Sequence, residues 1–324
     1  MINARAPGKV VLWGEYAVLI GAPAAVLAID RYASCRIEAI PNTSRWQVET
    51  RGFASEPIEL ALDELLRKPQ LSGAVLNQVL QSLPDDKLLD MLPAGAWVTL
   101  DTEDFQLQGQ KLGIGSSAAI CTASYVAFAT LLGVEPNFDQ ALAIHQRFQG
   151  KQGSGIDVAA AWHGGSLRYQ AGSAQPLPRL NTALWQFLWT GTPAKTGTHL
   201  QRFKRWTDTA PTAELDHLAA QSAELFDKLG SPHLVAALGD YVDALRALDG
   251  TAELGIYGPG HEHLHQLALD WQVVYKPCGA GGGDVGAVIS DDANRLAAFT
   301  AAAANLGFVK LAITRADHGV QISS

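Results

Sequence analysis

Three glycine-bearing stretches, far apart in a chain of 324 residues, hold most of the side chains able to do chemistry. They are APGKVVLWGEYAV at 6–18, KLGIGSSAA at 111–119 and KPCGAGGGDVGAVI at 276–289. In the second, Gly113 and Gly115 permit backbone angles that residues with side chains avoid. Ser116 and Ser117 then open a long apolar run. A helix starting there presents free N–H groups and the positive end of its dipole. A phosphate can approach those groups closely where no side chain intervenes, and a serine hydroxyl at that point can ligate Mg²⁺. The plainer reading is a tight turn with Ser116 capping the helix. This loop is neither GxxxxGKS/T nor GxGxxG, because Gly113-Ile114-Gly115 is followed by Ser-Ser-Ala.

A fourth stretch, GKQGSGIDVAAAWHGG at 150–165, places Asp157 at an expected helix start, where a carboxylate is stabilised. It reads either as a cap or first-turn acid, or as a carboxylate aimed at a group that attacks phosphorus. In the second reading Lys9 is the natural counter-charge. A Lys9–Asp157 pair beside a phosphate would keep the acid ionised and stabilise transition-state charge. The five glycines between Gly279 and Gly286 cost conformational entropy, and alone they could form a hairpin turn with Asp284 as a turn former.

The elements that must position these residues mix strands and helices in both halves, which predicts an α+β fold in two domains. Residues 5–50 read as strands, 57–83 as helix with a break near Pro69, and AWVTLD at 96–101 as a strand. Ser116–Leu132 is apolar around most of its circumference, the mark of a helix buried on several sides. FDQALAIHQRF at 138–148 reads as a helix and GSLRYQ at 165–170 as a strand. The Pro-rich AGSAQPLPRLN at 171–181 is the expected domain boundary, giving 1–175 and 176–324. Ser231-Pro232 is read as the start of a helix. WQVVYKP, VGAVIS and FVKLAITR are read as strands, with a helix over 292–306 between the last two.

Bulk properties narrow the function. Net charge is −8, which gives no reason to expect nucleic acid or an anionic membrane as partner. Three scattered cysteines have no metal or disulfide spacing and fit a reducing compartment. The N-terminus does not read as a secretory signal, and no apolar run is long enough to span a membrane, so a cytoplasmic protein is expected. HEHLH at 261–265 invites a metal hypothesis, but only His261 and His265 would share a helix face, and a solvated face is expected. KTGTHLQRFKRW at 195–206 is read as a basic surface helix, or as an extension of a positive lining near the acceptor.

Taken together and in this order, the stretches resemble the three motifs of the GHMP kinase superfamily, which includes galactokinase, homoserine kinase, mevalonate kinase and phosphomevalonate kinase. The resemblance covers nearly the whole chain. Within the superfamily it is strongest to the phosphomevalonate kinase family: Glu15-Tyr16 in the first motif, DRY at 30–32, the lead-in with Lys111, GSGIDVAAAWHGG, and WTGTPAKT at 189–196. Mevalonate kinases carry a metal-binding Glu eleven residues before the catalytic Asp, and here that position is Gln146. Cys278 stands where the family leads one to expect serine.

The resemblance implies an N-terminal domain like ribosomal protein S5 domain 2 and a ferredoxin-like C-terminal domain, with ATP between them. It implies phosphoryl transfer from Mg·ATP to (R)-5-phosphomevalonate, giving the 5-diphosphate. Lys9 and Asp157 would be catalytic, with Asp157 orienting and polarising the acceptor. Lys111 and the loop Gly113, Ile114, Gly115, Ser116, Ser117 and Ala118 would cradle the triphosphate, with Ser117 on Mg²⁺. Lys9, Glu15, Tyr16, Ser154, Gly155, Gly279 and Ala280 would contact the acceptor. The alternatives are mevalonate kinase or another kinase of the superfamily, a diphosphomevalonate decarboxylase, and a non-catalytic ATP and metabolite sensor.

Overall fold

The computed structural model describes residues 1–53, 56–67, 71–81, 91–148, 153–194, 196–209 and 212–323. Its strands, in chain order, begin with β1 (Ile2–Trp13), β2 (Ala24–Ala39), β3 (Arg45–Arg51), β4 (Ile58–Ala61) and β5 (Ala96–Asp101). A short hairpin, β6 (Gln106–Leu107) and β7 (Gln110–Lys111), precedes the phosphate-loop candidate. Then come β8 (Ser166–Gln170), β9 (Ser173–Pro176), β10 (Leu184–Trp189), β11 (Val274–Pro277), β12 (Val285–Ser290), β13 (Val309–Leu311) and β14 (Gln321–Ser323). The helices are α1 (Leu62–Arg67), α2 (Leu71–Gln81), α3 (Ser116–Leu131), α4 (Phe138–Phe148) and α5 (Ile156–His163). In the second half they are α6 (Thr196–Thr207), α7 (Ala213–Asp227), α8 (Leu234–Ala252), α9 (Pro259–Asp270) and α10 (Ala293–Asn305).

The first sheet has the order β14-β1-β2-β5-β3-β4, with β8 on β2 and β9 outside β8. The long strand β2 serves two neighbours on one side. Its start, Ala24–Leu27, pairs with β8, and its end, Ser34–Ala39, pairs with β5. Burial follows that division. Along the end, Ala33, Cys35 and Ile37 point inward while Arg36 and Glu38 are exposed, the period of a sheet with one wet face. Along the start, Ala24, Ala25 and Val26 are all buried because α5 covers the other side. The helix α3 packs on β1 and β2 and is buried nearly all round, as its sequence demands.

The second sheet has the order β11-β12-β10-β13, antiparallel throughout. Counted within this half, that order is 2-3-1-4, the strand order of a ferredoxin-like fold, with α6 to α9 in the first crossover and α10 in the second. The chain then turns back. Asp30 accepts hydrogen bonds from Thr314 N (2.8 Å) and Thr314 Oγ1 (2.7 Å), and β14 pairs with β1. With the division at 175 and 176 kept as a proposal, the tail belongs by its pairing to the first half, and β9 reaches one residue past the division.

AWVTLD and the 138–148 helix have the expected bounds. Three expectations are corrected. IELA at 58–61 is an edge strand paired with β3 rather than helix, and the helical reading resumes at Leu62; Pro69 lies outside the described residues. Ser231 Oγ accepts from His233 N in a turn, so the next helix opens at Leu234 instead of at Pro232. HEHLH is not a solvated face: His261 and His265 are buried and only His263 is exposed. Among the described residues no helix is long and apolar enough to cross a membrane, and no three metal-ligating side chains cluster.

Candidate active site

Two helix starts meet near Lys9. Gly115 precedes α3 with φ +88° and Gly155 precedes α5 with φ +87°. At α5 the side chains beside the glycine take part: Ser154 Oγ accepts from Ile156 N at 3.4 Å and Asp157 Oδ1 from Val158 N at 3.1 Å. The plainer reading of α3, with Ser116 as the cap, is corrected: Gly115 holds the cap position and Ser116, Ser117 and Ala118 form the first turn, whose N–H groups have no acceptor within the helix. Those open donors are what a phosphate needs. Glycine is required here for space as well as backbone angle. A Cβ on Gly115 would lie 3.0 Å from Lys9 Cγ, and one on Gly113 would collide with the Asp284 carboxyl at 1.9 Å. β1 is stitched to the same loop by Lys9 N donating to Ile114 O at 2.8 Å.

Two hollows lie near these elements. One is a cleft lined by Lys9, Glu15, Tyr16, Ser154, Gly155, Asp157, Gly279 and Ala280, so it gathers all the residues expected on the acceptor side. Val11, Val18, Leu19, Ile156 and Leu200 supply its apolar wall, and α4 adds His145 and Gln146. The other is a groove lined by Lys111, Ser116 and Ser117 with Thr102, Phe105 and Phe148. Gly113, Ile114, Gly115 and Ala118 line neither hollow, and Ile114 and Ala118 are buried. Leu200 brings α6 to the cleft, although Phe203 of the same helix is buried, so α6 is not a purely surface helix; Lys195 lies outside the described residues.

Not every expected side chain is free to meet a ligand. The Glu15 carboxylate is buried and occupied: Oε1 accepts from Lys276 Nζ at 2.5 Å and Oε2 from the Tyr241 hydroxyl at 2.8 Å. The Tyr16 hydroxyl donates to Ala280 O at 2.6 Å, which ties the first motif to the third. Burial, with Asp249 and Glu15 nearby, raises its pKa far above the ordinary value, so it stays a neutral phenol. The Ser154 carbonyl accepts from the Tyr169 hydroxyl at 2.5 Å, fixing the turn into α5. Burial pushes the Cys278 thiol up to about 11, so it too stays neutral beside Lys276. Trp13 packs against Phe226 with ring centroids 5.1 Å apart and lines neither hollow.

Asp284 is more than a turn former. Its φ is +61°, its Oδ1 accepts from Ala194 N at 2.9 Å, and its carboxyl lies against Gly113. Burial raises its pKa, opposed by the Ala194 N–H and by Lys9 and Lys111. The glycines ahead of it are held by His261. Gly283 O can only accept, so Nε2–H donates to it at 2.7 Å and Nδ1 takes the Tyr275 hydroxyl proton at 2.7 Å. Sequence reasoning missed this role because nothing local distinguishes a core histidine from a wet one.

His261 makes stability depend on pH. Burial lowers its pKa from 6.5 to about 4. Below the unfolded value the unfolded chain binds a proton that the folded chain refuses, so stability falls as pH drops from 6.5 towards 4. Urea titrations at about pH 7 and about pH 4.5 are expected to differ by about 2–3 kcal/mol more in the wild type than in His261→Gln. Equal pH dependence in the two proteins would remove this role.

Residues 99–165 match the GHMP kinases N terminal domain. A phosphomevalonate kinase of Streptomyces sp. is 27% identical over 90% of this chain and 90% of its own. A mevalonate kinase of Thermococcus sibiricus is 27% identical over 55% of this chain and 54% of its own. The structure of Streptococcus pneumoniae phosphomevalonate kinase in complex with phosphomevalonate and AMPPNP superposes with a TM-score of 0.76 at 19% identity, over 97% of this chain and all of that one. Residues 99–165 are thus similar to the GHMP kinases N terminal domain, and the chain shares its fold with that solved phosphomevalonate kinase.

Proposed function

We propose that this protein is an ATP-dependent small-molecule kinase whose acceptor is 5-phosphomevalonate. The observation that carries the reading is the meeting of two glycine-led helix starts near Lys9, with Asp157 in the first turn of the second. Such a site suits phosphoryl transfer, in which catalysis is mostly positioning and electrostatic stabilisation.

The open N–H groups of Ser116, Ser117 and Ala118 would bind the triphosphate, with Lys111 at the rim of the same groove. The donor set fits Mg²⁺, which takes few protein oxygens and completes its shell with phosphates and water. Ser117 is the residue that would hold it, and when bound it would neutralise charge on the transferring group. An acceptor phosphate oxygen attacks the γ-phosphorus as the bond to the ADP oxygen breaks. Lys9 lies where it can offset repulsion between the two phosphates; its Nζ is 3.8 Å from the Cβ position of Gly279. An acceptor phosphate is already ionised near neutral pH, so Asp157 is assigned to orient the acceptor instead of deprotonating it.

Mevalonate kinase is the second reading, favoured by the similarity to the Thermococcus enzyme. Against it, the cleft presents the neutral amide of Gln146 where mevalonate kinases carry a metal-binding carboxylate. The test is ADP release from Mg·ATP with mevalonate, 5-phosphomevalonate, diphosphomevalonate, homoserine and galactose. Turnover with 5-phosphomevalonate alone is expected. Turnover with another acceptor overturns the substrate assignment, and ATP binding without turnover on all five overturns it too, in favour of an acceptor outside the panel or of a sensor.

A further inference from the structure

His145 has a ring nitrogen with nothing to bond. It lies on α4, is 2% exposed, and its Nε2 finds no hydrogen-bond partner among the described residues. Other buried polar atoms share that condition, including indole nitrogens of Trp13 and Trp46 and hydroxyls of Thr122 and Ser124. None of those side chains lines the acceptor cleft, whereas His145 does. A buried polar atom left unpaired is costly and calls for an explanation in what the site binds.

The charge inventory of the cleft points the same way. Among the described residues that line the cleft Lys9 is the sole cation, Glu15 is already paired with Lys276, and Asp157 is an acid. An acceptor carrying a phosphate at one end and further oxygens elsewhere needs more donors than Lys9 supplies. We propose that His145 binds the acceptor directly, giving a ring N–H to an acceptor oxygen other than the one that attacks phosphorus. This rests on the kinase reading of the cleft and adds a specificity residue to it: the site selects acceptors with a hydroxyl or carboxylate oxygen that reaches His145, and disfavours those lacking it.

Two substitutions separate ligand binding from packing. His145→Phe fills the space without a hydrogen bond, and His145→Gln keeps a donor. For His145→Phe the acceptor KM is expected to rise about tenfold or more, with the ATP KM within about twofold. For His145→Gln the acceptor KM is expected to return to within about threefold of wild type. Without ligands, His145→Phe is expected to unfold at the wild-type temperature or above, because it removes an unpaired buried nitrogen. A histidine serving only the core would show the reverse. A lower unfolding midpoint for unliganded His145→Phe, or an acceptor KM within about twofold of wild type, overturns the inference. If the wild type uses a different acceptor from the panel, KM is read for that one and only the substrate assignment fails. If no acceptor is turned over, the unliganded midpoint decides alone.

Discussion

Asp157→Asn is expected to lower kcat by about 10²–10³-fold, with the KM for ATP changed by less than about threefold. Asp157 stands in the first turn of α5, where its Oδ1 accepts from Val158 N at 3.1 Å, and asparagine can keep that bond. The loss of the carboxylate's interaction with the helix dipole should cost no more than about 1 kcal/mol of stability. Activity and folding are therefore separable in this variant. Lys9→Met is expected to give a kcat loss of similar size, about 10²–10³-fold, because it removes the cation from the cleft that holds Asp157. The double variant should be little worse than either single one, since residues that act as a unit are far from additive. The measurement is steady-state ADP release beside a urea titration of each variant. Wild-type kcat in Asp157→Asn would end the catalytic role assigned to Asp157.

The second large effect concerns stability. Lys276 is fully buried, and its ammonium donates to Glu15 Oε1 at 2.5 Å, Pro277 O at 2.7 Å and Val11 O at 3.4 Å. The pair joins the first glycine-bearing motif to the strand that leads into the third. Removing either partner leaves a buried charge without its counter-ion, so Glu15→Gln and Lys276→Met are each expected to cost about 3–5 kcal/mol. Together they should cost much less than their sum, because two neutral groups can share a dry interior. Urea unfolding of the four proteins gives the coupling directly. Additive losses would show that the two side chains act independently.

The sequence revealed those features that local pattern controls. The all-round apolarity of 116–132 matches α3 because a helix buried on every side must be apolar on every side. Gly113 and Gly115 read as a loop ahead of a helix because few residues tolerate positive φ, and both adopt it. The partners of Glu15 and Tyr16 were not legible. Lys276 and Ala280 are 261 and 264 residues away, and no local periodicity encodes such a meeting. IELA misled because its pattern continues into α1, and only the edge of β3 makes it a strand. His145 and His261 were hidden for a further reason: both occupy helices whose polar residues read as wet, and burial was decided by elements packed from elsewhere.

The return of the tail to β1 bears on synthesis. Asn3, Ala4 and Arg5 pair with Ser323, Ile322 and Gln321, so these residues take partners translated only after the whole second half that lies between them. Throughout elongation that edge of β1 carries unpaired N–H and C=O groups, open to pairing with any other extended chain. Domains generally fold N-terminal first while the ribosome is still at work. Here the first sheet acquires its final strand only after the whole second half has emerged. The nascent chain thus spends most of its translation with an exposed sheet edge, the interval in which a holding chaperone would matter most.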